Sequence, residues 1–343
     1  MNELFASLEP VEVVGKGATS IVKLCKKKVT GKSGNICKSD VKSDNKGDTL
    51  DEPKFYAMKC INIHSARENA NVVREVLREK DLLERLVDKP YPGIVKFYGC
   101  CKDERNLFFI MDYIRGGDLS LHLKQGLTIQ HVTAYMQQIS SAVAHLHNHG
   151  WIHRDLKANN IAISGISGQC ILFDFGRCKY LESANARATT ILGFGHHSAP
   201  EIVRGEPHGF AVDSWSLGVL LYEMVTGKPP FPYMFAHTPA NLQEAARQAI
   251  CREGKHELPD RSTSLHEAGQ SLVNSLLQQR CEDRPPVQSL LNHPFLANLA
   301  VDQNGLATSP EPVYAPDEII IAETQAKTPA HTETKSEDPF ANW

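Results

Sequence analysis

The first third of the chain alternates between apolar and polar residues, which is the pattern of half-buried β-strands. Strand-like runs cover residues 11–25, 55–60, 94–101 and 106–114. Between the first two runs, residues 26–52 are rich in Lys, Ser, Gly and Asp and contain almost no apolar side chains. This composition predicts a flexible surface insertion, and a lysine-rich contact for an acidic partner is the alternative.

A helical pattern interrupts these strands between residues 71 and 87. Its positions recur at spacings of three and four, which places them on one helical stripe. The stripe consists of Val72, Val76, Glu79, Leu83 and Leu86. Glu79 therefore lies in the middle of an apolar face.

Beyond residue 118 the pattern becomes mostly helical. Residues 130–148 predict an amphipathic helix that Gly150 stops, and residues 211–225 predict a helix that is apolar on nearly every side and therefore buried. The glycines within residues 115–118 suit a connection between two lobes. Strands followed by helices predict an α+β fold of two lobes.

Composition narrows the class of protein. The 343 residues are 41% hydrophobic and 22% charged, as in ordinary globular proteins, and a formal charge of -3 provides no broad basic field for nucleic acid. Nine scattered cysteines, without a secretory signal pattern at Met1, favour a reducing compartment. The apolar stretch 217–225 is too short to span a bilayer. We therefore expect a soluble protein of the cytoplasm or nucleus, of undetermined oligomeric state.

The end of the chain changes in composition. After Phe295 it is dominated by Thr, Pro, Glu and Ala, so residues 298–343 predict a disordered tail. Residues 318–322 and the aromatic pair Phe340 and Trp343 are the exceptions, and either could be a partner-binding peptide or a strand on the protein surface.

A glycine-rich turn joins the two halves of the first strand-like run. It comprises Val14, Gly15, Lys16, Gly17, Ala18, Thr19, Ser20, Ile21 and Val22. The missing side chains of Gly15 and Gly17 let the backbone N–H groups approach phosphate oxygens. Glycines between strands also form ordinary turns, so this motif indicates a phosphate site only in combination with other motifs of the chain.

Lys59 ends an apolar strand, where its charge is costly unless a carboxylate or phosphate meets it. Glu79 is the natural carboxylate, and Glu75, one turn earlier, is the competing candidate. Such an ion pair would orient the lysine ammonium toward nucleotide phosphates.

The most informative segment runs from His153 to Asn160 and reads His-Arg-Asp-Leu-Lys-Ala-Asn-Asn. Two short strands, residues 161–163 and 170–173, come after it and lead into Asp174-Phe-Gly. Here the chain resembles the eukaryotic-type protein kinase family, whose catalytic-loop and metal-binding signatures have this order and spacing. Lys157, two residues after Asp155, matches the pattern of the serine/threonine branch of this family and so adds to the resemblance.

The resemblance implies ATP and Mg²⁺ as cofactors and a protein as substrate. It assigns Asp155 as the base that accepts the proton of the attacking hydroxyl, and Lys157 as a screen for the γ-phosphate. Asn160 and Asp174 would hold Mg²⁺, for which oxygen ligands are suited. The remaining nucleotide contacts would come from Ala57, Lys59, Met111, Asp112, Ile114 and Ala162.

Later landmarks extend the resemblance over residues 8–297, with an N-lobe at 8–111, a hinge at 112–118 and a C-lobe at 119–297. Ala199-Pro200-Glu201 resembles the end of the activation segment, and Arg284 resembles its structural ion-pair partner. Asp213 resembles the aspartate that holds the catalytic-loop backbone.

Residues 191–198 depart from the family pattern, because Phe194 stands where a threonine commonly contacts the catalytic aspartate and lysine. We expect this ring to loosen the geometry near Asp155. An active serine/threonine kinase is the leading hypothesis. A nucleotide-binding scaffold and a small-molecule kinase are the alternatives.

Two threonines directly before this segment suggest regulation by phosphorylation. A phosphate on Thr190 could pair with Arg154 and Lys179, and it would require an upstream kinase as a partner. Thr189 is the nearest rival for this modification.

Overall fold

A computed structural model of the chain describes residues 2–17, 20–28, 54–190, 194–232, 239–252, 256, 258, 264–297, 299–302, 305–313 and 340. The chain divides into two compact units. The first contains Met1–Val73, Lys96–Tyr113 and Ile319–Trp343, and the second contains Arg74–Val95 and Ile114–Glu318.

The first unit is built on an antiparallel sheet of five strands in the order β1-β2-β3-β5-β4. The strands are β1 (Leu8–Lys16), β2 (Ser20–Lys27), β3 (Phe55–Asn62), β4 (Phe97–Lys102) and β5 (Asn106–Asp112). Alternate residues of these strands bury one apolar face, which includes Cys25, Met58 and Ile110. Helix α1 (Asn2–Ser7) covers this face, where Phe5 packs on Phe108 with ring centroids 4.9 Å apart.

A second short helix, α2 (Ile63–Arg67), follows β3 directly. The side chain of Asn62 accepts a hydrogen bond from the Ser65 N–H and so caps the start of this helix. Helix α3 (Ala70–Leu86) comes next, and its apolar stripe buries Val76, Glu79 and Leu83.

The second unit is mainly helical. Its helices are α4 (Leu119–Gln125), α5 (Ile129–Asn148), α6 (Pro200–Arg204), α7 (Ala211–Thr226), α8 (Ala240–Cys251), α9 (Ser264–Leu276) and α10 (Val287–Leu290). Two small antiparallel sheets of two strands pair β6 (Trp151–Ile152) with β9 (Lys179–Tyr180) and β7 (Ile161–Ile163) with β8 (Cys170–Leu172), and the β7–β8 pair is a hairpin. Helices α5 and α7 are buried over most of their length and form the centre of this unit.

The α+β fold class is confirmed. The three helices that were predicted from apolar periodicity, α3, α5 and α7, lie within one residue of their predicted bounds. Two details differ. Ile94 forms only an isolated bridge to Leu172, so β4 begins at Phe97. Lys26 and Lys27, which the composition assigned to the insertion, continue β2 because they pair with Glu9 and Leu8 of β1. The remainder of the predicted insertion lies largely outside the described residues.

The predicted tail also differs where the structure describes it. Residues 299–302 and 305–313 lie in the second unit, and Leu306 and Ala307 are each only 2% exposed. Gln138 of α5 donates hydrogen bonds to the carbonyl of Ala307 (2.5 Å) and to the hydroxyl of Ser309 (2.9 Å). The disorder prediction is therefore wrong for this segment, because side chains of a remote helix satisfy its backbone.

Phe340, near the end of the chain, is 1% exposed in the first unit. Its carbonyl accepts a hydrogen bond from the Lys102 ammonium at 2.6 Å. The predictions for residues 318–322 and Trp343 fall outside the described residues. Within the described ranges, we find no helix long and apolar enough to cross a membrane.

Candidate active site

The segment after β6 is anchored by a buried carboxylate. Asp213, at the start of α7, accepts hydrogen bonds of 2.8 Å from the backbone N–H groups of both His153 and Arg154. It also accepts a 2.8 Å bond from Nε2 of His147 on α5. Burial acts to raise the pKa of Asp213, but the His147 hydrogen bond, the charges of His147 and His153 and the His153 amide lower it on balance. The predicted role of Asp213 in holding this loop is confirmed.

The loop itself adopts a constrained backbone. Arg154 has φ of 66°, in the left-handed region that non-glycine residues rarely occupy. Such a conformation persists only where surrounding contacts enforce it, and the two Asp213 hydrogen bonds supply that enforcement. The next residue, Asp155, is thereby presented in a fixed direction.

The Asp155 carboxylate is oriented by two neighbours on the same loop. Lys157 donates to Oδ2 at 2.8 Å, and the Asn160 amide donates to the same oxygen at 3.0 Å. Asn160 also donates to the Asp155 carbonyl at 2.9 Å. On the other oxygen, Oδ1, the Arg177 guanidinium lies 4.0 Å away. These contacts bring together three predicted residues and add Arg177, which the sequence interpretation missed although it directly follows Gly176.

The predicted metal ligands Asn160 and Asp174 lie at the same end of the β7–β8 hairpin. Phe173 N–H donates to the Asn160 carbonyl at 3.1 Å, which holds Asp174 beside the loop. Asp174 is exposed, with φ of 62°. Because Asn160 uses its amide nitrogen toward Asp155, its side-chain oxygen is the atom with which it can meet a cation. A carboxylate and an amide oxygen fit the ligand preference of Mg²⁺.

The nucleotide residues predicted in the first unit share its sheet. Gly17 N–H donates to the Ser20 carbonyl at 2.7 Å, which closes the glycine-rich turn between β1 and β2. Gly15 lies opposite Val22, and Val22 lies opposite Lys59. Directly opposed residues point to the same face of a sheet, so the turn and Lys59 present one continuous surface.

The other predicted nucleotide residues are distributed over both units. Ala57 of β3 lies opposite Met111 of β5, and Asp112 ends that strand. In the second unit, Ile114 is half-buried, and Ala162 in β7 forms an isolated bridge with Asp118. The remaining members of the turn that the structure describes are Val14, Lys16, Ser20 and Ile21, whereas Ala18 and Thr19 fall outside the described residues.

The predicted lysine–glutamate pair is divided between the two units. Lys59 is half-buried on β3 of the first unit, and Glu79 is 2% exposed on α3 of the second. Their pairing stays a prediction.

Arg154, predicted to meet a phosphate on Thr190, is buried among other cations. Its guanidinium donates to the Arg177 carbonyl at 2.8 Å and contacts Nε2 of His208 at 3.3 Å. Burial, followed by the charge of Arg78, lowers the pKa of Arg154 to about 10. His208 and Arg78 were not predicted, because helix α3 and the segment before α7 bring them to this loop only in the folded chain.

The predicted regulatory residues occupy different environments. Thr190 is half-buried, Thr189 is exposed, and Lys179 lies on β9 opposite Ile152. The role of each in regulation stays a prediction.

Phe194 lies beside helix α8 of the second unit. The Phe194 ring is half-buried, and its centroid lies 5.4 Å from the Arg247 guanidinium of α8. The Asp155 carboxylate accepts a 2.8 Å hydrogen bond from Lys157, and the effect of the Phe194 ring on the geometry at Asp155 stays a prediction. Further along, Arg284 binds Glu201 through two hydrogen bonds of 2.7 and 2.8 Å, as the sequence predicted.

The chain is similar to curated kinases of several organisms. It is 37% identical over 236 residues to serine/threonine-protein kinase AtPK2/AtPK19 of Arabidopsis thaliana, covering 68% of this chain and 46% of that protein. It is 33% identical over 256 residues to atypical protein kinase C of Drosophila melanogaster, covering 72% and 41%. The RAC family serine/threonine-protein kinase homolog of Dictyostelium discoideum is 30% identical over 332 residues, covering 96% and 66%.

The chain spans about half the length of most of these curated relatives. The family model described as protein kinase domain matches residues 45–296, most of the chain. Strands β1 and β2 precede that match, and the catalytic loop, the hairpin and the Glu201–Arg284 pair lie within it. Together with the geometry of the Asp155 loop, this match shows that the chain belongs to the protein kinase family.

Proposed function

We propose that the protein is a serine/threonine kinase that transfers the γ-phosphoryl group of ATP to a hydroxyl group of a protein substrate. The observation that carries the proposal is the Asp155 carboxylate, which Lys157 and Asn160 hold by one oxygen while Asp213 fixes its backbone. Phosphoryl transfer depends mainly on alignment and on charge neutralisation, and this loop provides both.

The two Asp155 oxygens have different tasks in this proposal. Oδ2 is occupied by Lys157 and Asn160, so Oδ1 is the oxygen that would accept the proton of the substrate hydroxyl. The Arg177 guanidinium, 4.0 Å from Oδ1, adds positive charge close to the reacting groups. Asn160 and Asp174 would hold Mg²⁺, and Lys59 would bind the α- and β-phosphates. When bound, Mg²⁺ and ATP supply the phosphoryl group and neutralise charge on its oxygens.

The proposal is tested by incubating the purified chain with Mg-ATP and a degenerate peptide mixture. We expect phosphate on serine or threonine, and a rate that falls to background in Asp155→Asn, which keeps the side-chain shape but removes the base. A wild-type rate no higher than that of Asp155→Asn would refute the kinase assignment.

A nucleotide-binding scaffold is the second candidate, and the position of Phe194 favours it. The ring occupies the place of a residue that commonly hydrogen-bonds the catalytic groups, and it packs instead near Arg247. A protein that binds ATP, measured by fluorescent nucleotide, yet modifies no peptide would support the scaffold.

A finer proposal concerns control of activity. Phosphorylation of Thr190 by an upstream kinase would place a dianion near Arg154, whose neighbours Arg78 and Arg177 leave this buried region rich in positive charge. We expect Thr190→Ala to lower the activity of phosphorylated protein and Thr189→Ala to leave it unchanged. Fully active protein in which mass spectrometry finds both threonines unmodified would exclude this mode of control.

We also propose a cytoplasmic location. It is supported by the eight cysteines of the described residues, which are all free thiols, as a reducing compartment would keep them. Fluorescence microscopy of the tagged protein would test it, and a signal confined to another compartment would contradict it.

A further inference from the structure

Two adjacent histidines and a glutamate converge in the second unit, between the segment before α6 and the last turn of α7. The residues are His196, His197 and Glu223, and one possible ligand atom from each lies within 4.8 Å of the others. Nε2 of His197 is 3.1 Å from Oε2 of Glu223, and the two imidazole rings are 4.2 Å apart. Two imidazoles therefore surround a single carboxylate.

The backbone that carries the histidines is fixed before any ion binds. Ser198 N–H donates to the Gly195 carbonyl at 3.0 Å, and Gly195 N–H donates to the Ser198 hydroxyl at 3.0 Å, which closes a turn around the pair. The Ser216 hydroxyl of α7 donates to the His197 carbonyl at 2.9 Å. Supporting hydrogen bonds of this kind hold metal ligands in a productive orientation.

Burial and access are both suitable for a bound ion. His197 and Glu223 are 8% and 6% exposed, so a cation between them would be largely removed from water. His196 is only half-buried, which leaves a route from solvent. Two imidazoles and one carboxylate thus form a cluster of donor atoms that is buried on one side and open to solvent at His196.

We propose that His196, His197 and Glu223 form a binding site for a transition-metal cation, with Zn²⁺ as the preferred ion. Two imidazole nitrogens and one carboxylate oxygen are a ligand set that Zn²⁺ uses, with a fourth position open to water. Mg²⁺ prefers oxygen ligands and does not compete well for such a set. Because the histidines precede α6 and Glu223 lies on α7, the ion would clamp this segment to the central helix.

The first test uses the full chain after removal of metals by a chelator. Co²⁺, a coloured substitute for Zn²⁺, is titrated in and followed by visible absorption. We expect the bands of four-coordinate Co²⁺ with nitrogen and oxygen ligands, in a ratio of one ion per chain, and no loss of signal in excess Mg²⁺. Strong near-ultraviolet bands from thiolate ligands would overturn the proposal, because they would place the ion on cysteines.

The second test measures Zn²⁺ affinity by competition with a chromophoric chelator. We expect His196→Ala and Glu223→Gln to weaken binding by at least about tenfold, a loss typical of disturbed metal sites. Glu223→Gln is the sharper variant, since an amide keeps the shape of the side chain and a hydrogen bond to His197 while removing the charge. His64→Ala, which removes an exposed histidine of the first unit, is the matched control and should bind as the wild type does.

The third test measures the melting temperature with and without Zn²⁺. Zn²⁺ should raise the melting temperature of the wild type and of His64→Ala but not that of Glu223→Gln, because an ion that binds only the folded chain stabilises it. Equal Zn²⁺ affinity in the wild type and both site variants overturns the proposal. If a variant fails to fold, the cobalt spectrum of the wild type decides the question alone.

Discussion

Arg284 binds Glu201 through two parallel hydrogen bonds, of 2.7 Å from Nη1 to Oε1 and 2.8 Å from Nη2 to Oε2, and both side chains are buried. The Arg284 guanidinium also lies 5.0 Å from the centre of the Trp215 ring. Its donors reach the carbonyls of Gln278 and Ala211 as well. One arginine therefore joins α6, α7 and the segment after α9.

We expect Arg284→Ala to lower the free energy of unfolding by about 3–5 kcal/mol, because it leaves the Glu201 charge buried without its partner. Arg280→Ala is the matched control. Arg280 binds Glu282 at 2.6 Å, but both side chains are more than half exposed, so its loss should leave the melting temperature nearly unchanged. Thermal denaturation checks both, and equal melting temperatures for the two variants would contradict the structural role of Arg284.

The segment after residue 298 should contribute to stability. A chain that ends at residue 313 should melt at a clearly higher temperature than one that ends at Ala300. In the longer chain Leu306 is buried, and Gln138 donates hydrogen bonds to Ala307 and Ser309. Leu306→Ala should cost about 2–5 kcal/mol, as expected for a buried leucine. Identical melting curves for the two truncated chains would show that this segment contributes nothing to the fold.

His208 should make stability depend on pH. Its Nδ1 bonds the Glu206 carbonyl at 3.0 Å and its Nε2 faces the Arg154 guanidinium at 3.3 Å, so the folded chain requires a neutral ring. Burial is the main cause that lowers its pKa below the usual 6.5, and Arg154 lowers it further. The unfolded chain therefore binds more protons below pH 6.5. The contribution of His208 to the free energy of unfolding is therefore fully present above pH 6.5. It is lost as the pH falls from 6.5 toward the lowered pKa of the folded chain.

We expect His208→Gln to show a shallower loss of stability below pH 6.5 than the wild type, since an amide oxygen still accepts from Arg154 but does not titrate. Urea denaturation at several pH values measures the slope. His64→Gln, which changes an exposed histidine, should keep the wild-type slope. A steeper slope in His208→Gln than in the wild type would contradict the prediction that His208 lowers stability below pH 6.5.

Two variants separate chemistry from folding. Asp174→Asn should lower phosphotransfer by at least about a hundredfold, because it removes a charge aimed at the metal. Its backbone φ of 62° is one that asparagine adopts readily, so the melting temperature should hardly change. Lys59→Met should have a similar effect on the rate, since it removes a charge but keeps a long side chain. Initial rates equal to the wild type in either variant would remove the basis for the assigned roles.

The sequence predicted those parts of the molecule that depend on local pattern. Helices α3 and α7 lie within one residue of their predicted bounds because apolar spacing is visible along the chain itself. Asp155 and Asn160 were found because one short loop carries both. Residues 305–313 could not be predicted in this way, since Gln137 and Gln138 of α5 supply their partners. Arg78 and His208 were missed for the same reason, as only tertiary packing brings them to Arg154.

Phe194 is where the enzyme and the scaffold interpretations differ most. A threonine at this place could hydrogen-bond the catalytic groups, whereas the phenyl ring offers apolar surface and packs 5.4 Å from the Arg247 guanidinium. Asp155 keeps its hydrogen bonds to Lys157 and Asn160 in a chain that carries this ring. We therefore expect Phe194 to shape the choice of peptide more than the rate of transfer.

Phe194→Thr should alter the preferred peptide while changing the rate on the best substrate by no more than about tenfold, roughly 1.4 kcal/mol of transition-state stabilisation. Arg247→Ala is the companion variant. It removes the cation beside the ring, and it should shift peptide preference in the same direction if this contact sets the position of Phe194. Initial rates of the three proteins on one peptide library provide the measurement. A wild type at background beside an active Phe194→Thr would overturn the enzyme interpretation, because the ring would then be what silences a scaffold.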